Sequence, residues 1–236
     1  MALPKIDLPL FELTLPSTNK KIKYRPFTVK EEKILLIAQE SKDHKQIVLA
    51  IKQILNNCVQ DMDINTMAAL DLQYVLLSIR AKSVNNEISF NIKDPDTNET
   101  LELTIDIDEI QIKRSPDHSK VIKITDTIVL QMRYPTIDNI DSIDVDGEGE
   151  NVSKDKLFDL MVECIESVVD GDNVYKLKDF SKEEVNEFLD SLTSEIVVKI
   201  NTFFNTMPVM RYEKKYTNKD GVQKTLVAEG LETFFI

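Results

Sequence analysis

Tryptophan is absent from this 236-residue chain, cysteine and histidine occur twice each, and glycine occurs only five times. Each shortage removes a class of function. The glycines, at 147, 149, 171, 221 and 230, compose neither a GxGxxG turn nor a P-loop, so no phosphate cradle is expected. Cys58 and Cys164 form no Cys-x-x-Cys pair, and with His44 and His118 they are too few to suggest structural zinc. Each cysteine falls on the apolar stripe of an expected helix, which points to buried free thiols and a reducing compartment. The histidines sit in Lys42-Asp-His-Lys45 and Pro116-Asp-His-Ser119, polar settings that read as surface. No G-x-S-x-G elbow or His-Glu-x-x-His motif occurs. The 41 acids could supply a glycosidase pair by spacing, but without tryptophan the aromatic platforms usual for sugars are wanting.

Long apolar runs are missing as well. No stretch nears the roughly 18 residues of a spanning helix, and Met1-Ala-Leu-Pro-Lys5 lacks the basic start and apolar centre of a signal peptide. Basic charge is the last shortage. With 29 Lys and Arg against 41 Asp and Glu, the net charge of −12 argues against nonspecific nucleic-acid binding and against an anionic membrane surface. Such a charge serves solubility, or an acidic surface that meets a basic protein. Apolar content of 42% with 30% charged residues is that of an ordinary globular protein with a real core.

What is present is a pattern that occurs twice. Strands at 11–15 and 21–27, joined by Pro16-Ser-Thr-Asn19, run through Arg25-Pro26-Phe27 to Thr28. Proline holds its predecessor extended, Thr28 caps the helix that follows, and Glu31 completes a capping box. Helices follow over about 29–39, on the stripe Ile47, Ile51, Ile54, Leu55 and Cys58, and on the stripe Met67, Leu70, Tyr74, Leu77 and Ala81. A hairpin closes the set, alternating over 88–92 and 101–107 about Asp94-Pro-Asp-Thr-Asn98. The order then returns: strands at 121–124 and 128–133, Arg133-Tyr-Pro-Thr136, and a short helical stretch. A helix carrying Leu157, Met161, Cys164, Ile165 and Val168 follows the acidic loop. The capping box Ser181–Glu184 then opens one long helix, with Val185, Phe188, Leu192, Ile196, Ile200 and Phe203 inward. A last hairpin spans 209–216 and 225–228 about Asn218-Lys-Asp-Gly221.

The pattern predicts an α+β fold of two similar halves, each a helical group flanked by antiparallel β-hairpins. Residues 1–115 would form hairpin, three helices and hairpin; residues 116–236 would form strands, helices and hairpin, with an acidic loop near 141–153. That loop resembles a calcium site only in part. Aligning Gly147 with the EF-hand glycine puts Ser142 first and Ser153 at the twelfth position, where a bidentate glutamate is required. Asp170-Gly-Asp172 reads as a turn.

The blocks Leu13-Thr-Leu-Pro-Ser-Thr18, Lys20-Lys-Ile-Lys-Tyr-Arg-Pro-Phe27 and Val29-Lys-Glu-Glu-Lys-Ile-Leu-Leu36 carry a resemblance, extended by Ile79-Arg-Ala-Lys-Ser83, Met132-Arg-Tyr-Pro-Thr136 and Met207-Pro208. Together they resemble the baseplate hub assembly family of T-even-like contractile-tailed bacteriophages, over nearly the whole chain. Relatives often carry Cys-Pro at the tips of two late hairpins. Here the tips read Lys93-Asp-Pro95 and Tyr216-Thr-Asn-Lys-Asp-Gly221, so a metal knuckle is not carried over.

The resemblance implies a non-enzymatic assembly protein, made in the host cytoplasm, that binds other baseplate hub or tail proteins. A permanent structural subunit of the virion's tail baseplate is the alternative. No catalytic, cofactor-binding or metal-binding residue is assigned, and no cofactor, nucleic acid or membrane is expected. Partner binding is assigned to the ends of the chain, where Leu8 and Leu10 alternate around prolines and Phe234, Phe235 and Ile236 close an apolar tail. Tyr24 and Phe27, at the first strand-to-helix corner, are weaker candidates for the same role.

Overall fold

A lysine-rich hairpin opens the fold: β1 (Phe11–Thr14) pairs antiparallel with β2 (Lys21–Tyr24). The computed structural model describes residues 6–94, 96–141 and 154–229. Strand β2 buries Ile22 and Tyr24 and turns its lysines outward, the period of a half-buried strand. Helix α1 (Val29–Ser41) starts on the expected Thr28–Glu31 capping box and ends at Lys42, whose φ of 54° is left-handed. Helix α2 (His44–Cys58) is capped by Asp43 and buries Ile47, Ile51, Ile54, Leu55 and Cys58, the stripe read from its spacing. Strand β3 (Val59–Gln60) then joins β2. After one 3-10 turn, Ile64–Thr66, helix α3 (Ala69–Ser83) buries Leu72, Val75, Leu76, Leu77 and Ile79; of the expected stripe only Leu77 is buried on this helix, Leu70, Tyr74 and Ala81 being half-buried and Met67 preceding its start. Its Asp71 accepts from the Ser17 amide at 2.8 Å and so ties the first turn to the helix. Strands β4 (Glu87–Lys93) and β5 (Thr100–Asp106) form the expected hairpin, and β6 (Gln111–Lys113) ends this stretch.

The chain next builds a second compact unit, Arg114–Pro208. Strands β7 (Val121–Lys123) and β8 (Ile128–Met132) lead to the short α4 (Ile137–Asp141). The acidic loop falls outside the described residues. Helix α5 (Lys154–Glu163) is shorter than expected, because Ile165 and Val168 do not continue it. They lie instead on β9 (Ile165–Asp170), which pairs with β8 and, through the turn at Gly171, with β10 (Asn173–Lys176). The residues permit this locally, since Ile165, Val168 and Val169 are β-branched and precede an Asp-Gly turn, and pairing with β8 settles it. A run of apolar residues this short does not separate helix from strand by period alone.

The long helix expected from Ser181 is two helices, α6 (Lys182–Asp190) and α7 (Ser194–Asn205). Its capping box is present, but Ser191 Oγ donates to the Phe188 carbonyl and the Thr193 carbonyl takes the Ile196 and Val197 amides. A serine hydroxyl diverts backbone bonding in this way, and Thr193 opens the next helix through its backbone carbonyl alone. Leu189, Ile196, Ile200 and Phe203 still share a core with Ile122, Leu130, Met132, Cys164 and Ile165.

The final hairpin, β11 (Val209–Thr217) and β12 (Gln223–Glu229), does not close the second unit. Strand β11 pairs with β6, Met210 opposite Ile112, and packs Met210 and Tyr212 with Leu77, Ile88 and Ile105. It belongs with the first unit, so the units are not the two consecutive halves expected.

Candidate partner surfaces

The strand-to-helix corner is the feature that the chain builds twice. In the first unit the Arg25 amide donates to the Cys58 carbonyl at 2.9 Å, extending the β2–β3 ladder by one step. The Arg25 guanidinium donates to Glu31 Oε1 at 3.0 Å, and Glu31 Oε2 takes the Thr28 amide at 2.9 Å. Asn57 Nδ2 reaches Glu31 Oε1 at 3.5 Å. In the second unit the Arg133 amide donates to the Cys164 carbonyl at 2.8 Å, and its guanidinium to Asn139 Oδ1 at 3.3 Å. Asn139 Oδ1 takes the Thr136 amide at 2.9 Å, and Asn139 Nδ2 donates to Glu163 Oε2.

Arg25, Thr28, Glu31, Asn57 and Cys58 thus correspond in order to Arg133, Thr136, Asn139, Glu163 and Cys164. One exchange distinguishes them: the acid and the amide trade places, so each corner keeps one carboxylate, one amide and one arginine. The arrangement is structural. Burial alone would raise the Glu31 carboxyl, but the hydrogen bonds from Arg25 and Thr28 outweigh it and hold the group at about 2. A carboxylate so acidic and so fully bonded cannot exchange protons near neutrality. Both thiols beside the corners are buried and free, and burial pushes Cys58 up to about 11 and Cys164 up to about 12.

Of the residues assigned to partner binding, Tyr24 is withdrawn from that role. It is 3% exposed and packs at a tilt against Phe11 with ring centroids 5.8 Å apart, seating the first hairpin on the core. Phe27 is half-buried, and its amide donates to Ser83 Oγ, tying the corner to α3. Leu8 is half-buried and Leu10 is 52% exposed, in the segment before β1 that also exposes Ile6. Phe234, Phe235 and Ile236 lie outside the described residues. The structure therefore leaves Leu10 open to a partner and takes Tyr24 away.

Sequence reasoning missed a larger apolar surface. Helix α1 buries only Glu31 and Ala38, while Val29, Leu36 and Ile37 stand exposed, Ile37 at 67%. Leu49 on α2 is 66% exposed. The signal was the run Ile34-Leu-Leu-Ile37. Four consecutive apolar residues turn through more than one face of a helix, so some must point away from the core.

Two further placements differ from the sequence reading. The His118 ring is half-buried rather than freely exposed: it clusters with the Tyr134 and Phe203 rings, 2.9 Å from Tyr134 Oη and 3.0 Å from Thr206 Oγ1. The two hairpin tips without cysteine are joined by another device. Buried Asp94 accepts from the Asp96 and Thr97 amides, from Tyr216 Oη at 2.9 Å and from Lys224 Nζ at 3.0 Å. Burial would raise this carboxyl, but the Thr97 amide, Lys224 and Tyr216 drive it well below the usual carboxylate range. Among the described residues no group of three or more His, Cys, Asp or Glu could hold a metal ion, and no helix is long and apolar enough to cross a membrane.

An α+β chain whose arginine-bearing strand-to-helix corner recurs in both units, with the Lys20–Leu36 block at the first, has a family in which to be placed. The family model for T4 bacteriophage base plate protein matches residues 8–236, and the chain belongs to that family. It is a T4-like phage baseplate protein. No curated protein and no solved structure matches it.

Proposed function

We propose that this baseplate protein is a non-enzymatic assembly factor that builds the central hub by binding hub subunits in the host cytoplasm. The observation that carries the reading is the exposed apolar surface of α1, Val29, Leu36 and Ile37, on a member of the T4 bacteriophage base plate protein family. Fully burying an aliphatic side chain of this size is worth about 1.5–3 kcal/mol, so the half-exposed set holds binding energy the fold does not use. The carboxylates whose pKa is displaced among the described residues, Glu31, Asp94, Glu184 and Glu195, are displaced downward by hydrogen bonds that tie them into the fold. The net charge of −12 supports protein rather than nucleic acid or membrane as the partner.

The test is capture of each purified baseplate protein by the wild type and by Leu36→Asp/Ile37→Asp, with mass spectrometry of finished particles. Loss of capture by the variant, with circular dichroism unchanged and the protein absent from virions, is the expected result. Undiminished capture refutes the α1 surface. Stoichiometric presence in virions favours the alternative, a permanent structural subunit of the hub.

A further inference from the structure

Strands β9 and β10 do more than replace a helix, because they build one wall of an apolar groove in the second unit. The groove has a volume of about 420 Å³. Val168, Leu177, Val185 and Phe188 line its half-buried floor, contributed by β9, the 3-10 turn at 177–179 and α6. Tyr175 and Phe180 stand on its rim, each 43% exposed, with ring centroids 6.2 Å apart. Tyrosine and phenylalanine are residue types enriched where proteins meet, since they offer large contact area at small entropic cost.

Two carboxylates, Asp170 and Glu184, complete the lining. The surrounding chain adds to them: between 166 and 190 there are eight acids against three lysines. An apolar floor inside an acidic rim selects against an acidic or purely apolar occupant. Low-dielectric walls strengthen the field of the rim carboxylates and favour a cation over the open side.

We infer that this groove receives an amphipathic segment of another baseplate protein, one that seats leucine-like side chains on the floor and sets lysine or arginine against Asp170 and its acidic neighbours. The inference rests on the proposed assembly role and names the partner's chemistry at a second surface, apart from α1. Apolar burial supplies affinity here, and the rim charge supplies orientation and a salt-dependent association rate.

Because the chain has no tryptophan, a peptide carrying one reports binding by its own fluorescence without background. The full-length protein is titrated with an amphipathic Leu/Lys/Trp helix and with the same peptide bearing glutamate for lysine. Expected are saturable binding of the first, at least tenfold weaker binding of the second, and a several-fold loss between low and high salt. Phe180→Asp, at an exposed position, should weaken the Leu/Lys peptide at least tenfold; Asp170→Asn should weaken it less and flatten the salt dependence. Equal binding of both peptides, no binding of either, or full binding by Phe180→Asp overturns the inference. So does sedimentation equilibrium showing a dimer that Phe180→Asp abolishes, for a second copy would then be the occupant. Failure of the wild type to capture any baseplate protein refutes the assembly role; capture that Phe180→Asp leaves unchanged refutes only the groove.

Discussion

Replacing Glu31 by asparagine and Asn57 by glutamate would rewrite the first corner in the pattern of the second. Glu31 alone is the costly residue to lose. Its side chain is 3% exposed, and its carboxyl falls from an ordinary 4.5 to about 2. At about 1.4 kcal/mol per unit this amounts to roughly 3 kcal/mol of differential stabilisation. Removing Glu31 leaves the half-buried Arg25 guanidinium only its bond to the Pro26 carbonyl, a loss toward the lower end of the about 3–5 kcal/mol typical of fully buried pairs. Glu31→Asn should therefore destabilise the first unit by about 3 kcal/mol at pH 7. Adding Asn57→Glu returns a carboxylate to the cluster and should recover at least about 1 kcal/mol, whereas Asn57→Glu alone adds an acid beside Glu31 and should not stabilise. Urea unfolding of the four proteins gives the coupling directly.

The dependence on pH is the second arm of this test. A folded-state pKa below the unfolded one stabilises the protein above pH 4.5, and that contribution is lost as the pH falls toward 2. The gap between wild type and Glu31→Asn should accordingly be constant from pH 7 to 5 and close below 4.5. Additive effects of the two substitutions, within about 0.5 kcal/mol, would refute the equivalence of the corners. A gap unchanged at pH 3 would refute the role assigned to the Glu31 charge.

Three other outcomes are expected. Burial, then the Lys120 and Arg114 cations, holds the His118 imidazole below its ordinary 6.5, so its contribution is complete above pH 6.5 and is lost as the pH falls toward the folded value. Thermal melts at pH 7.5 and 5.5 should show that loss in the wild type and a smaller one in His118→Gln. Ellman's reagent at pH 8 should leave native Cys58 and Cys164 unmodified and titrate both in denaturant; rapid native labelling would contradict their burial. Asp94→Ala should free the hairpin tips, raising hydrogen exchange of the 96–98 and 218–222 amides while α2 and α3 keep theirs.

The corner was legible in the sequence because its causes are local. Pro26, Thr28 and Glu31 act within one turn of chain, and the capping boxes at Thr28 and Ser181 form as their spacing requires. The exchange of Glu31 and Asn57 for Asn139 and Glu163 was not legible. Asn57 and Glu163 lie 26 and 24 positions from their partners, and only the folded strands bring them together. The exposed face of α1 stood in the sequence as the run Ile34–Ile37, but which of those residues faced outward depended on where α2 lay.

From the sequence by itself came the α+β class, the inward stripe of α2, the turns, the two buried thiols and the family, because each rests on periods and motifs a few residues long. The tertiary structure decided what remote segments do to one another. It made Ile165–Asp170 a strand by offering β8 as its partner, and it carried β11 back to β6 across a whole unit. It buried Tyr24 against Phe11 and opened the groove between β9 and α6. A strand's hydrogen bonds are completed only by a partner chosen over long separations, and no local pattern specifies that choice.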